Sequence, residues 1–241
     1  MSATAPTSHP RTSCPLKSAA LLSGAVAGAA VGTATLGAAA GLAALIASGA
    51  ARRVGVTASE TTMLLAGDGE VPRADVQADR ARTIDAPAWE VWPWLVQLGQ
   101  HRAGFYSFEA LENAAGCEIE GAEHINPAWQ HIAVGDAVPL APGVGLRVAH
   151  VEPGRALVLT TAGGQAPPGP MNFDFSWAFV LSAAQVAGRA SSVPATRLHV
   201  RERYAAHDAP TRALLELTTV ASAIMSWRML DRIAALSSAR G

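Results

Sequence analysis

The period of apolar and polar positions changes several times along the chain. From Ser18 to Ala50, thirty-three residues pass without a charge, bounded by Lys17 on one side and Arg52-Arg53 on the other. A bilayer core needs roughly 20 apolar residues, and a cleavable export signal has an apolar region of only about 7 to 15. The run therefore reads as a single uncleaved transmembrane helix, with a cleaved export signal as the alternative. Residues 1–17 become a tail before it. Residues 51–76, with Gly55, Gly67, Gly69 and Pro72 among scattered acids and no sustained period, read as a linker.

Beyond Gln77 the pattern becomes that of a folded domain, 77–241. A strand is expected over Gln77–Ile84, and Asp85-Ala-Pro87 then has the residue types that open a helix. Trp89, Trp92, Leu95, Val96 and Leu98 give that helix a broad apolar face until Gly99 and Gly104 interrupt it. A second short helix is expected over Ser107–Ala115, ended by Gly116. Six strands should follow, over Cys117–Ile125, Ala137–Leu140, Gly145–Val151, Ala156–Thr161, Asn172–Ser182 and Thr196–Tyr204, divided by turn residues such as Pro153-Gly154.

Two of these strands alternate cleanly. Phe173, Phe175, Trp177, Phe179 and Leu181 share one face, and Leu198, Val200, Glu202 and Tyr204 share one face of the next strand. Arg197, Arg201 and Arg203 fall on its opposite face, which predicts a solvated surface with Asp174 across a strand. After Asp208 and Pro210 about 28 residues run without Gly or Pro, with Leu214, Leu217, Val220, Ala221, Ile224, Met225, Trp227, Leu230 and Ile233 as an apolar stripe. One long terminal helix covering an antiparallel sheet is the α+β solution to burying the aromatic face. Space left between them would form a largely apolar cavity, the usual shape of a small-molecule site.

Charge distribution and composition narrow the functional classes. The chain's 18 basic and 19 acidic residues are unevenly placed: residues 1–53 carry +4 and residues 54–241 carry −5. A net acidic domain lacks the basic surface that displaces counterions from nucleic acid, so DNA and RNA are excluded as partners. Two cysteines, Cys14 and Cys117, exclude a disulfide framework. Cys117, His124 and His131 are spaced by seven, which matches no recurring metal site, and no metal or other cofactor is expected. The chain also lacks a phosphate-cradling glycine loop and a nucleophile-elbow serine. Within the apolar run Gly24, Gly28 and Gly32 recur every four residues, a spacing that allows close helix pairing and self-association in a membrane.

From Gln77 to Ser238 the sequence resembles the START-like, or SRPBCC, superfamily, and within it membrane-tethered actinobacterial members. The resemblance rests on Ile84-Asp-Ala-Pro-Ala-Trp-Glu-Val-Trp-Pro-Trp-Leu-Val-Gln-Leu-Gly99, Gly104-Phe-Tyr-Ser-Phe-Glu-Ala-Leu-Glu-Asn113, Gly116-Cys-Glu-Ile119, Val134-Gly-Asp136, Phe175-Ser-Trp-Ala-Phe179 and Arg201-Glu-Arg-Tyr204. It implies a helix-grip fold, in which a curved antiparallel sheet wraps around the C-terminal helix, and a ligand cavity between them. Such relatives span transport, binding and catalysis, so the resemblance leaves activity open.

The candidate ligand-binding residues are Tyr106, Glu112, Asn113, Phe175, Trp177, Phe179, Glu202, Tyr204, Ile224 and Met225. A buried Glu202 needs a partner, which Tyr106 or an arginine would supply. The expected function is a membrane-anchored, single-pass binding domain for a small hydrophobic molecule or lipid. The alternative is an enzyme of the polyketide cyclase or dehydrase kind, with Glu112, Glu202 and Tyr204 as acid, base or proton donor.

Overall fold

The computed structural model describes residues 40–114, 117–161, 172–185 and 194–239. Most of the expected transmembrane run, with the Gly24, Gly28 and Gly32 stripe, lies outside them; its described end is helical over 40–48. Among the described residues no helix is long and apolar enough to cross a membrane.

The elements are β1 (Arg53–Val54), α1 (Ala58–Thr62), β2 (Val76–Ile84), α2 (Ala88–Val96), α3 (Glu109–Ala114), β3 (Ala137–Ala141), β4 (Val144–Glu152), β5 (Ala156–Thr160), β6 (Phe173–Ala184), β7 (Ala195–Ala206) and α4 (Ala209–Ser238). Seven strands form one curved sheet in the order β1-β2-β7-β6-β5-β4-β3. All pairs are antiparallel except the two-residue β1, which runs parallel to β2. Register shifts between Pro139 and Ala141 and between Val148 and His150 mark irregular pairing of the kind that bends a sheet. The α+β architecture is the expected one, and a curved sheet with a long C-terminal helix is consistent with a helix grip.

Alternation sets the inner face. On β6 and β7, Phe175, Phe179, Leu181, Leu198, Val200 and Tyr204 are buried, with Leu157 and Leu159 of β5 beside them. A fully buried Phe or Leu contributes roughly 1.5–3 kcal/mol. Asp208 caps α4, its Oδ1 accepting from Thr211 N at 2.7 Å, and Pro210 sits in the first turn, where a missing N–H costs nothing. The helix packs against β2, β7 and α2.

Three expectations are corrected. Residues 117–125 form no strand. Asn113 holds this stretch as a loop, donating Nδ2–H to Ile119 O at 2.9 Å and accepting from Ile119 N at 2.5 Å, and Glu118 has a left-handed φ of 48°. The phase of α4 also differs: Leu215, Thr219, Ala223, Ser226, Met229, Leu230, Ile233, Ala234 and Ser237 are buried, while Leu214, Leu217, Ile224 and Trp227 are exposed. Apolar and small polar residues are spread around the whole circumference of this helix, so its own pattern does not fix its orientation.

Residues 51–76 and the outer sheet face also differ from expectation. These residues do not stand off the domain. Thr57 opens α1 with a capping box completed by Glu60. Gly67 then crosses so near the sheet that a Cβ would lie 2.8 Å from Val158 Cγ1, and its φ of 95° suits glycine. Beneath this segment Arg201 and His199 are buried rather than solvated. The arginines of β7 pair with Glu60, Asp68 and Asp79, whereas Asp174 faces His207 at 3.5 Å.

Candidate functional site

A cavity of about 280 Å³ lies between the inner sheet face and α4. Its apolar wall is Phe105, Leu140, Phe175, Trp177, Met225 and Met229; its polar edge is Ser107, Glu202, Tyr204, Thr218, Ser222 and Ser226. The aromatic wall is internally packed: Phe175 stacks on Tyr204 with centroids 4.6 Å apart, and Trp177 tilts against Phe179 at 4.8 Å and Phe105 at 6.1 Å.

Glu202 is the charged group on that edge, and it is only 3% exposed. Its Oε2 lies 2.9 Å from Nη1 of Arg80, which is itself fully buried and donates Nη2–H to Thr219 O at 3.2 Å. Tyr204 donates to Oε2 at 3.0 Å. Ser222 approaches Oε1 at 2.7 Å and Oε2 at 2.9 Å, and Ser226 reaches Oε1 at 3.4 Å. Ser222 and Ser226 are one helical turn apart, so α4 presents both hydroxyls to one carboxylate. An ion pair this deep resists removal of either partner, because the remaining charge would be stranded. Burial, then the charge of Glu202, pushes the Tyr204 phenol well above its ordinary range. Tyr204 is therefore a neutral donor rather than a base.

A second acid adjoins the wall from α3. Glu112 is buried, and its Oε1 accepts from Ser107, whose side chain reaches the cavity. Its Oε2 is buried with no hydrogen-bond partner among the described residues. Burial raises the carboxyl above its ordinary value, the charge of Glu109 adds to this, and the Ser107 bond opposes it. The two carboxyls thus sit in opposite environments, one charge-compensated and one not.

Of the ten candidate residues, the structure brings Phe175, Trp177, Glu202, Tyr204 and Met225 together at the cavity. Phe179 is fully buried behind the wall, and Ile224 is exposed on the far side of α4. Tyr106 turns away: in a left-handed conformation with φ 57°, it donates to Trp94 O at 3.1 Å and accepts from Gln97 at 2.9 Å. Asn113 serves the loop, and Glu112 adjoins the cavity only through Ser107. Arg80, Ser222 and Ser226 were not among the residues expected from the sequence. Arg80 shares the strand phase of Val76, Ala78 and Ile84, all buried, and an arginine in an apolar phase was the available signal.

No family model and no curated protein matches the chain. Among solved structures it is similar to protein MLL2253 from Mesorhizobium loti, at 16% identity over 69% of this chain and 99% of that one, with a TM-score of 0.37. It is also similar to DynU16, a protein of the dynemicin biosynthetic locus, at 16% identity over 65% and 46% of the two chains, with a TM-score of 0.36. CalU16 from Micromonospora echinospora gives 16% identity, 67% and 86% coverage and a TM-score of 0.29.

Proposed function

We propose that this chain is a binding domain for a small hydrophobic molecule, held between the sheet and α4 and tethered to a membrane through residues 18–50. The observation that carries the reading is the aromatic and thioether-lined cavity whose buried carboxylate is charge-balanced by Arg80 and hydrogen-bonded by Tyr204 and Ser222. Apolar walls supply affinity, and a few fixed polar groups supply orientation. Native mass spectrometry of the full chain, followed by solvent extraction, tests it. The expected result is an adduct of reproducible mass that unfolding releases. Protein that is uniformly empty, and that takes up none of a panel of fatty acids, phospholipids and aromatic polyketides, refutes it. The tether predicts that the full chain stays with membranes in alkaline carbonate, and that deleting residues 18–50 releases it.

One observation favours a second reading, acid–base catalysis of the cyclase or dehydrase kind. Glu112, held toward its neutral form, touches the wall hydroxyl Ser107, while Glu202 is charge-compensated across the cavity edge. Proton transfer requires groups poised in this complementary way. Under this reading a Glu112→Gln variant keeps ligand affinity but loses turnover of a polyketide-like substrate. Under the binding reading neither protein turns the substrate over.

A further inference from the structure

The hydroxyl groups that line the cavity have something in common: each has its hydrogen engaged by the protein. Tyr204 donates to Glu202 Oε2 at 3.0 Å, Ser222 to the same carboxylate at 2.7 Å, and Ser226 more weakly at 3.4 Å. Ser107 donates to Glu112, and Thr218 donates to Leu214 O at 3.0 Å. A hydroxyl has one hydrogen and two lone pairs, so these five groups have lone pairs left to offer and no hydrogens. The backbone of β6 and β7 is paired from Phe173 to Ala184 and adds no free donor there. The Trp177 indole N–H is the exception in the wall, shielded from solvent without a partner among the described residues; Nε and Nη1 of Arg80 also lack hydrogen-bond partners there, but Arg80 stands behind Glu202 and outside the lining.

The carboxylate has the same bias. Of its roughly four lone-pair sites, Tyr204 and the single hydrogen of Ser222 engage two at close range and Ser226 approaches only at 3.4 Å, while Arg80 Nη1, 2.9 Å away, balances the charge without a hydrogen bond. A ligand reaching this corner meets acceptors. An anionic head group would meet the Glu202 charge as well, with the compensating Arg80 fully buried. A cavity of about 280 Å³ is at the small end of small-molecule sites, the scale of a compact ring system.

Building on the binding reading, we infer that the site selects a compact, neutral aromatic molecule whose polar group is a hydrogen-bond donor, a hydroxyl above all, over ethers, ketones and carboxylates. Glu202 sets this preference by drawing the neighbouring hydroxyl hydrogens to itself.

The test is calorimetric titration of the full chain at neutral pH with four probes that share one ring system: naphthalene, 2-naphthol, 2-methoxynaphthalene and 2-naphthoate. The expected order places 2-naphthol about tenfold tighter than 2-methoxynaphthalene, the margin of one hydrogen bond to a charged or polarised acceptor, with 2-naphthoate weaker than naphthalene. If 2-methoxynaphthalene or 2-naphthoate binds as tightly as 2-naphthol, the inference fails while the cavity reading stands. If none of the four binds, the inference fails, and the mass-spectrometric panel decides the cavity reading separately.

Two variants sharpen the result. Glu202→Gln puts an amide donor in the corner and is expected to bring the naphthol-to-methoxynaphthalene ratio to about one or below. Ser222→Ala leaves the Arg80–Glu202 pair in place and exchanges a hydroxyl acceptor for a freed carboxylate lone pair, the stronger acceptor of the two, so that ratio is expected to rise. An unchanged or smaller ratio in Ser222→Ala overturns the inference even where Glu202→Gln does not fold.

Discussion

Strand β7 carries charge on both faces, and the two faces handle it differently. On the inner face Glu202 and Arg80 form a compact pair edged by Tyr204 and two serines, beside an open apolar cavity. On the outer face Arg201 is clamped without open space: its Nε donates to Asp79 at 2.7 Å, Nη1 to Asp68 at 2.9 Å and Met63 O at 2.8 Å, and Nη2 to Glu60 O at 2.9 Å. His199 adds a contact to Asp79 at 2.8 Å, and Arg197 binds Glu60. The inner charges leave acceptors facing a cavity, whereas the outer charges are used to fasten residues 57–75 to the sheet. Burial of charge alone thus says little about function; what matters is whether a polar group retains unfilled hydrogen-bonding capacity toward an accessible space.

The largest effect should come from cutting the outer clamp. Arg201→Ala strands two acids under a packed segment and is expected to lower stability by about 3–5 kcal/mol in urea denaturation. A loss below about 1 kcal/mol would break the comparison, since the outer network would then be no more than surface charge.

Acid titration separates the two regions by sign. The Arg197 hydrogen bond takes Glu60 down to about 2. Asp79 is lowered too: burial alone would raise it, but bonds from His199, Arg201 and Gln77 outweigh that. Folded-state values below the unfolded ones mean stability that is present above the ordinary carboxylate range and lost as pH falls toward 2. Glu112 is raised, so its contribution is present at acid pH and lost as pH rises through its folded-state value. Glu112→Gln is therefore expected to gain stability relative to the parent as pH rises from 4 to 7. A parallel pair of stability–pH curves would remove Glu112 from the account.

Smaller effects mark the edges of both regions. Thr57→Ala removes the cap of α1, the helix that brings Glu60 to Arg197, and should cost about 1 kcal/mol. Ile224→Ala, on the exposed side of α4, is expected to change stability and 2-naphthol affinity by no more than about 0.5 kcal/mol. A larger loss of affinity would return Ile224 to the site.

Much of the fold was legible from local pattern. The alternation in β6 and β7, the Asp208 cap with Pro210, and the paired short helices all have signals within a few residues of the elements they set. The cavity was legible in its aromatic half, through Phe175 and Trp177, and much less so in its polar half. Ser222 and Ser226 stood in a helix whose many apolar residues gave no single phase; the buried Glu202 beside them marks the side that faces the sheet. Residues 117–125 misled because Cys117, Ile119 and Ile125 alternate like a strand, although Asn113 occupies backbone groups of Ile119 that a ladder would need.

The sequence by itself determined the order of elements, the faces that residues share, and the concentration of aromatic side chains on one side of the sheet. Those properties depend on periods of two and about 3.6, which any short stretch of chain carries. Tertiary structure alone decided that the arginine face of β7 is covered, that Arg80 is the partner of Glu202, and which side of α4 meets the cavity. The physical reason is separation along the chain: Arg201 and Met63 meet across 138 residues, and Arg80 and Thr219 across 139. A local period states that a face exists, but only the path of the distant chain states what covers it.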